Sequence, residues 1–232
     1  MKSVVLALAV ILASSVSAFA GACQSTTYDQ YLGNGFSCTV NDQTYSSFGY
    51  VGTSNPPGFS IPAGSVGVVP ITTPGNPGLE FSAGWLASTS TGIIEQDSLF
   101  QFTVNSNTPI TDLTLAIGGA SFIGTGEVIV AETACLGALL PSCTGGQLIT
   151  LTVFDDSAGQ QLVDTATFAG VNEISVSKDL TVAAGTNGEA TVSVLTDQFS
   201  EGTGTVPEPG TLGMFGLGGA ALFGFVRRKL NL

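Results

Sequence analysis

The chain contains no histidine, and from Gly21 to Thr205 it holds a single base, Lys178, against sixteen acids, every acid in the sequence except Glu208. Charged residues of both signs make up only 9% of its 232 residues. The missing imidazole excludes Ser-His-Asp and Cys-His catalysis. A body near −15 repels nucleic acid and anionic lipid, so neither is an expected partner. That charge favours solubility in an exported protein and also attracts divalent cations. Helical periodicity is missing as well: no segment of the body keeps a 3.6-residue apolar spacing for ten residues. Tryptophan occurs once. Trp85, following Leu79 and Phe81, is expected in the core rather than as a carbohydrate platform.

The body does carry period-two alternation, which gives a strand one buried face and one wet face. Phe100, Phe102 and Val104 alternate with Gln101 and Thr103; Leu113, Leu115 and Ile117 with Thr114 and Ala116; Ile149, Leu151 and Val153 with Thr150 and Thr152. Ala190, Val192 and Val194 outline a last strand. Ile174, Val176, Leu180 and Val182 share a face with Lys178, which would need a bulge or an exposed strand end to leave the core. Turn residues separate these runs at Ser106-Asn107-Thr108-Pro109, Asp155 to Gly159 and Gly185 to Gly188.

Short strands with regular turns indicate an all-β fold, an antiparallel β-sandwich of immunoglobulin-like or jelly-roll style. About 185 residues suffice for one core. Residues 21–199 form the expected domain, and 200–205 a flexible spacer. Residues 52–78 hold six of the ten prolines and read as a long surface loop. Within it only Val66 to Ile71 suits a strand, and Pro70 would place that strand at an edge.

The four cysteines, Cys23, Cys38, Cys135 and Cys143, fall into two close pairs. Three connectivities exist, and proximity favours Cys23 with Cys38 and Cys135 with Cys143. Neither pair has the spacing of structural zinc ligands. An oxidising compartment fits the N-terminus, where Lys2, an apolar stretch from Val4 to Ala13, and Ala18-Phe19-Ala20 have the layout of a cleavable secretory signal over residues 1–20. Signal peptidase is thus an expected partner. Ala20-Gly21-Ala22-Cys23 loosely matches a lipobox, but lipidating Cys23 would leave an odd thiol.

The C-terminal segment 206–232 has three parts in order: Pro207-Glu208-Pro209, the uncharged run Thr211 to Val226, and Arg227-Arg228-Lys229. As a helix the 16-residue run would span roughly 24 Å, short of the ~30 Å hydrocarbon core. Snorkelling by the three bases and local thinning cover part of the mismatch, giving a marginal transmembrane helix with Arg227, Arg228 and Lys229 as the cytoplasmic stop. Gly216-Leu217-Gly218-Gly219-Ala220-Ala221 formally fits a dinucleotide fingerprint, but no strand precedes it and no acid follows it. The segment resembles the PEP-CTERM sorting signal of bacterial exported proteins. That resemblance implies recognition of Pro207, Glu208 and Pro209 by a membrane-embedded cysteine protease, the exosortase, in hosts that usually make an exopolysaccharide or biofilm matrix. It also implies an inner-membrane stage before processing, then the cell surface or matrix.

Together these features suggest a non-enzymatic, exported surface or matrix protein without cofactor, contacting exopolysaccharide or other proteins. A secreted carbohydrate-active enzyme with paired carboxylates is one alternative. A calcium-stabilised adhesin using Asp155 and Asp156, or an ice-binding-type protein using Thr150, Thr152, Thr165 and Thr167, is another. The N-terminal sequence of the exported protein should begin at Gly21; a lipid-modified Cys23 at the terminus would replace this cleavage with lipobox processing.

Overall fold

The computed structural model describes residues 20–202. They form thirteen strands: β1 (Gly21–Ala22), β2 (Thr26–Thr27), β3 (Ser37–Val40), β4 (Gln43–Asn55), β5 (Gly67–Ile71), β6 (Gly78–Thr89), β7 (Ile94–Gly118), β8 (Ser121–Ile123), β9 (Gly126–Leu136), β10 (Gln147–Asp156), β11 (Gly159–Gln161), β12 (Val163–Ala184) and β13 (Gly188–Glu201). Two short 3-10 helices, Tyr28–Tyr31 and Ala63–Ser65, complete the elements. Every pairing is antiparallel except the two-residue β1–β3 pair.

The strand path runs β11-β10-β9-β12-β7-β13-β6-β5-β2, with β4 also on β7 and β3 on β4. Its two ends do not meet, so the sheet stays open. Two long strands give it a sandwich-like form. The first half of β7 pairs with β4 (Gln43↔Ser106 to Asn55↔Glu95), and its second half pairs with β13 (Val194↔Gly118 to Glu201↔Ile110). β12 accompanies β7 through both halves, with register shifts between Thr167 and Glu173. At this corner the inward set on β7 changes phase, from Phe100, Phe102 and Val104 to Leu113, Leu115 and Ile117, all buried. A one-residue slip reverses a strand's faces, so the corner lets one strand serve both layers. The turn expected at Ser106 to Pro109 is therefore a bend within β7, where Thr108 N donates to Ser106 Oγ at 3.1 Å.

Between the layers lies an aromatic core. Phe81 and Phe100 have ring centroids 5.1 Å apart, and Phe100 lies 5.4 Å from Tyr28 and 6.3 Å from Trp85. Trp85 is buried as expected, and its Nε1 donates to Ser98 Oγ at 3.0 Å. Tyr28 OH reaches the carbonyls of Gly49 and Gln101, both at 3.1 Å. These bonds satisfy polar tips that burial would otherwise leave unpaired.

Both disulfides form with the pairing that proximity favoured, Cys23–Cys38 and Cys135–Cys143. The first staples β1 to β3. Residues 52–78 are less loop-like than their composition suggests. β4 continues to Asn55, Ala63–Ser65 is helical, and β5 pairs with β6 through Gly67↔Ser82 to Ile71↔Gly78. β2 covers only Gly67 and Val68 of β5, so Pro70 stands where no ladder bond is required of its missing N–H. The spacer expected at 200–205 starts later, since Ser200 and Glu201 pair with Asp112 and Ile110.

Removing the Trp85 ring with Trp85→Ala should cost about 3–5 kcal/mol in urea unfolding. Replacing Cys23 and Cys38 by serine should cost about 3 kcal/mol, given a 15-residue separation. A loss under 1 kcal/mol in either case would contradict the packing described.

Candidate functional site

β4 carries a bulge that shapes a broad surface concavity. Its register against β7 shifts between Ser46 and Gly49, and Ser47 between them adopts φ 56°, a left-handed conformation uncommon outside glycine. Bulges re-aim side chains. Ser47 stands at the junction of two grooves. One, of about 810 Å³, is bounded by Asn34, Phe36, Ser37, Thr44, Ser46 and Phe48. The other, of about 290 Å³, runs past Gln101, Thr103, Ser175 and the Leu139-Leu140-Pro141 loop. Phe36 and Phe48 are half-buried, with centroids 5.9 Å apart. The lining is neutral: hydroxyls, amides and aromatic edges with no carboxylate.

Acids collect elsewhere. On the outer face of the layer built from β4, β7, β12 and β9, the register places Thr53 opposite Asp97 and Asp97 opposite Thr181. Asp97 accepts from Thr181 Oγ1 at 2.8 Å, and with Glu95 and Asp179 it lines a shallow groove. The charge of Asp97 raises the pKa of Glu95, and partial burial, then Asp97, raises that of Asp179. Among the described residues no group of three or more acids or cysteines has a geometry suited to a metal ion. Asp156, one of the two acids weighed for calcium, accepts from the N–H groups of Ala158 and Gly159 and closes the β10–β11 turn.

A second acid pair fastens the end of β13. Asp42 and Glu201 share a hydrogen bond. Partial burial raises the pKa of Glu201, and that bond adds to the rise; at Asp42 burial also acts upward but is outweighed by bonds with Glu201 and Thr108, and the pKa falls. Gln43 Nε2 donates to Glu201 Oε1 at 3.1 Å and to the Phe199 carbonyl at 2.8 Å.

The third group lies in the core and overturns an expectation. Lys178 neither bulges out nor sits at an exposed strand end: it is fully buried between Leu180 and Val176. Glu132, directly opposite it on β9, brings Oε2 to 3.3 Å from Nζ. Asp197 arrives from β13 in the other layer and pairs with Nζ through Oδ2. A register shift between Val192 and Val194 makes this possible. It moves the inward set of β13 from Ala190 and Val192 to Leu195, Asp197 and Phe199 and leaves Val194 half-buried. Gly78 lets β6 approach at this point, since a Cβ there would stand 1.9 Å from the Asp197 carbonyl oxygen. The Phe81 ring lies 5.2 Å from Nζ. Both Glu132 oxygens and Asp197 Oδ1 lack well-aligned hydrogen-bond partners. Desolvation, then the charge of Asp197, pushes the Glu132 pKa well up, so this carboxyl is protonated while the other two groups pair.

Ala20 is the first described residue and is half-buried. Ala18, Pro207, Glu208, Pro209, Arg227, Arg228 and Lys229 lie outside the described residues, as does the whole candidate transmembrane run. No helix among the described residues is long and apolar enough to cross a membrane.

Fold and grooves together define an all-β, disulfide-stapled domain with two layers and open edges. Its C-terminal continuation is specific: residues 205–229 match the PEP-CTERM protein-sorting motif. The protein is thus exported and sorted by an exosortase to the cell surface. No curated protein sequence matches the chain. Among solved structures, TmCBM61 in complex with β-1,4-galactotriose aligns with TM-score 0.31 and 10% identity, over 67% of this chain and 90% of that one. The enzymatically active domain of bacteriophage CBA120 tailspike protein 4 aligns with TM-score 0.22 and 11% identity, over 68% of this chain but only 19% of its own. Likenesses this weak establish neither a shared fold nor a shared ligand.

Because the Glu132 carboxyl keeps its proton when folded while the unfolded chain releases it near the ordinary value of 4.5, the stability it contributes is complete below that pH and declines above it. The decline should approach about 1.4 kcal/mol per pH unit until the folded carboxyl ionises. Comparing Glu132→Gln with the native chain in urea at pH 5 to 7 isolates the effect; parallel pH profiles would place the proton elsewhere.

Proposed function

We propose that the protein is a non-enzymatic component of the cell surface or extracellular matrix, delivered by its sorting tail and presenting an all-β body to neutral matrix glycans or proteins. The observation that carries this reading is the PEP-CTERM motif at residues 205–229. Exosortase would act at or near Pro207-Glu208-Pro209, after a stage in which Thr211 to Val226 holds the chain in the inner membrane. The body is read as a sandwich of immunoglobulin or jelly-roll style, a scaffold whose loops and outer faces are free for partners.

Charge decides where a polymer would bind. The acidic face around Asp97 repels anionic polysaccharide. The neutral groove around Ser47 combines half-buried aromatic rings with hydroxyls and an exposed amide, donors and acceptors suited to an uncharged sugar. The enzymatic alternative finds little support in the acid pairs. Retaining glycosidases hold two carboxyl groups about 5–5.5 Å apart across the scissile bond, whereas Asp42 and Glu201 are in direct hydrogen-bond contact, and Glu132 with Asp197 is sealed from solvent.

Mass spectrometry of the mature C-terminus in cells that contain an exosortase should find the chain ending close to Pro207–Pro209; a terminus at Leu232 would sink the processing claim. Glycan-binding assays should then show that Asn34→Ala combined with Ser47→Gly weakens binding about tenfold, the effect of losing one or two hydrogen bonds. Unchanged affinity would move the binding face away from this groove.

A further inference from the structure

We propose that Lys178 and Asp197 condense into an intramolecular amide within the core, with Glu132 relaying the proton, so that β12 and β13 become covalently joined across the two layers. The three side chains meet with no water access, on three different strands, and make no contact with either surface groove. A charged ammonium–carboxylate pair in so dry a site carries a large desolvation cost, and removing both charges removes that cost.

The chemistry balances without a further reactant. Lys178 passes one proton to Asp197, leaving a neutral amine and a carboxylic acid, a transfer within the contacting pair that needs no outside base. The Nζ lone pair forms a bond to Asp197 Cγ. The Glu132 carboxyl, whose Oε2 is 3.3 Å from Nζ, donates its proton to an Asp197 oxygen and takes the second amine proton in exchange. The Cγ–O bond then breaks, water leaves, and Glu132 ends as it began, protonated. The core supplies every element: a nucleophile, an electrophile in contact with it, and a neutral acid whose oxygens have no other well-aligned partner. Unlike a surface ion pair, the trio is fixed by strand register on one side, through Lys178↔Glu132, and by the β13 register shift on the other.

Because Lys178 is the one base between Gly21 and Thr205, trypsin offers a direct test. The full chain, purified from expressing cells, then denatured and reduced, should resist cleavage after Lys178, because an amide-linked lysine lacks the ammonium the protease requires. A glutamate-specific protease should release peptide 174–189 joined to peptide 190–201, lighter than their sum by one water. Cleavage after Lys178 with the two peptides free would overturn the proposal, and this reading does not depend on any variant folding. Glu132→Gln should leave Lys178 open to trypsin in the denatured chain; linkage formed to the same extent in that variant would overturn the proton relay. Asp197→Ala should abolish the linked peptide, and its persistence would assign the bond to another acid.

Discussion

A lysine side chain placed where no water reaches it dictates much of this architecture. Lys178 is fully buried, and an uncompensated charge there would cost several kcal/mol. One carboxyl group, Glu132, comes from the same layer and another, Asp197, from the opposite one, which constrains β9, β12 and β13 at once. A carboxylate more than an ammonium needs would leave a net negative charge in the core. Protonation of Glu132 prevents that. The Phe81 ring at 5.2 Å adds its negative face toward the cation. The site thus works as a three-way register lock: sliding any of the three strands by one residue would send its charged side chain to the outer face.

The same economy governs the corner of β7 and β12. A sandwich normally breaks its strands between layers, whereas here a 25-residue and a 22-residue strand run through both. Irregular register at Thr167 to Glu173 absorbs the bend, and the phase change on β7 keeps an apolar set facing inward on each side. Burial of the aromatic cluster then depends on the corner, because Phe100 and Phe102 precede it while Leu113 and Leu115 follow it on the same strand. Polar tips inside are tied off locally, Trp85 to Ser98 and Tyr45 to Gln43, so the core holds polar groups whose partners lie within it.

Much of this was legible in the sequence, where a local pattern carried it. Alternation identified the strands around Phe100, Leu113, Leu151 and Ile174, and close spacing identified both disulfides. What stayed hidden depended on residues distant in sequence. Strand β9 was missed because Glu132 interrupts the apolar face of Val128, Val130 and Ala134, and Lys178 looked misplaced for the same reason. Each charge makes sense only beside the other two, at positions 132, 178 and 197. Strand β4 was missed because its bulge at Ser47 separates Tyr45 from Tyr50 and hides their common role against Phe102 and Phe100. Bulges also defeated the reading of β13, where Val194 should have faced inward and Leu195 does. The grooves on either side of Ser47 follow from that same unseen residue.

The sorting tail gives these internal ties a direction. β13 ends at Glu201, only a few residues before the motif that begins at 205, so any load on a tethered or matrix-held chain enters the body through this strand. A strand pulled along its end is lost by serial peeling of ladder bonds unless side chains bind it to something else. β13 has two such fixings. Glu201 is held by Asp42 and Gln43 at its end, and Asp197 by Lys178 four residues deeper. Peeling past Asp197 would have to pull Asp197 away from Lys178 and Glu132 in the core, so the resistance rises at the point where the outer fixing has failed. A body stapled by Cys23–Cys38 beside its first strand and by the Lys178 trio in its last is thus restrained near both ends of the described residues. That restraint suits a protein exported to the cell surface.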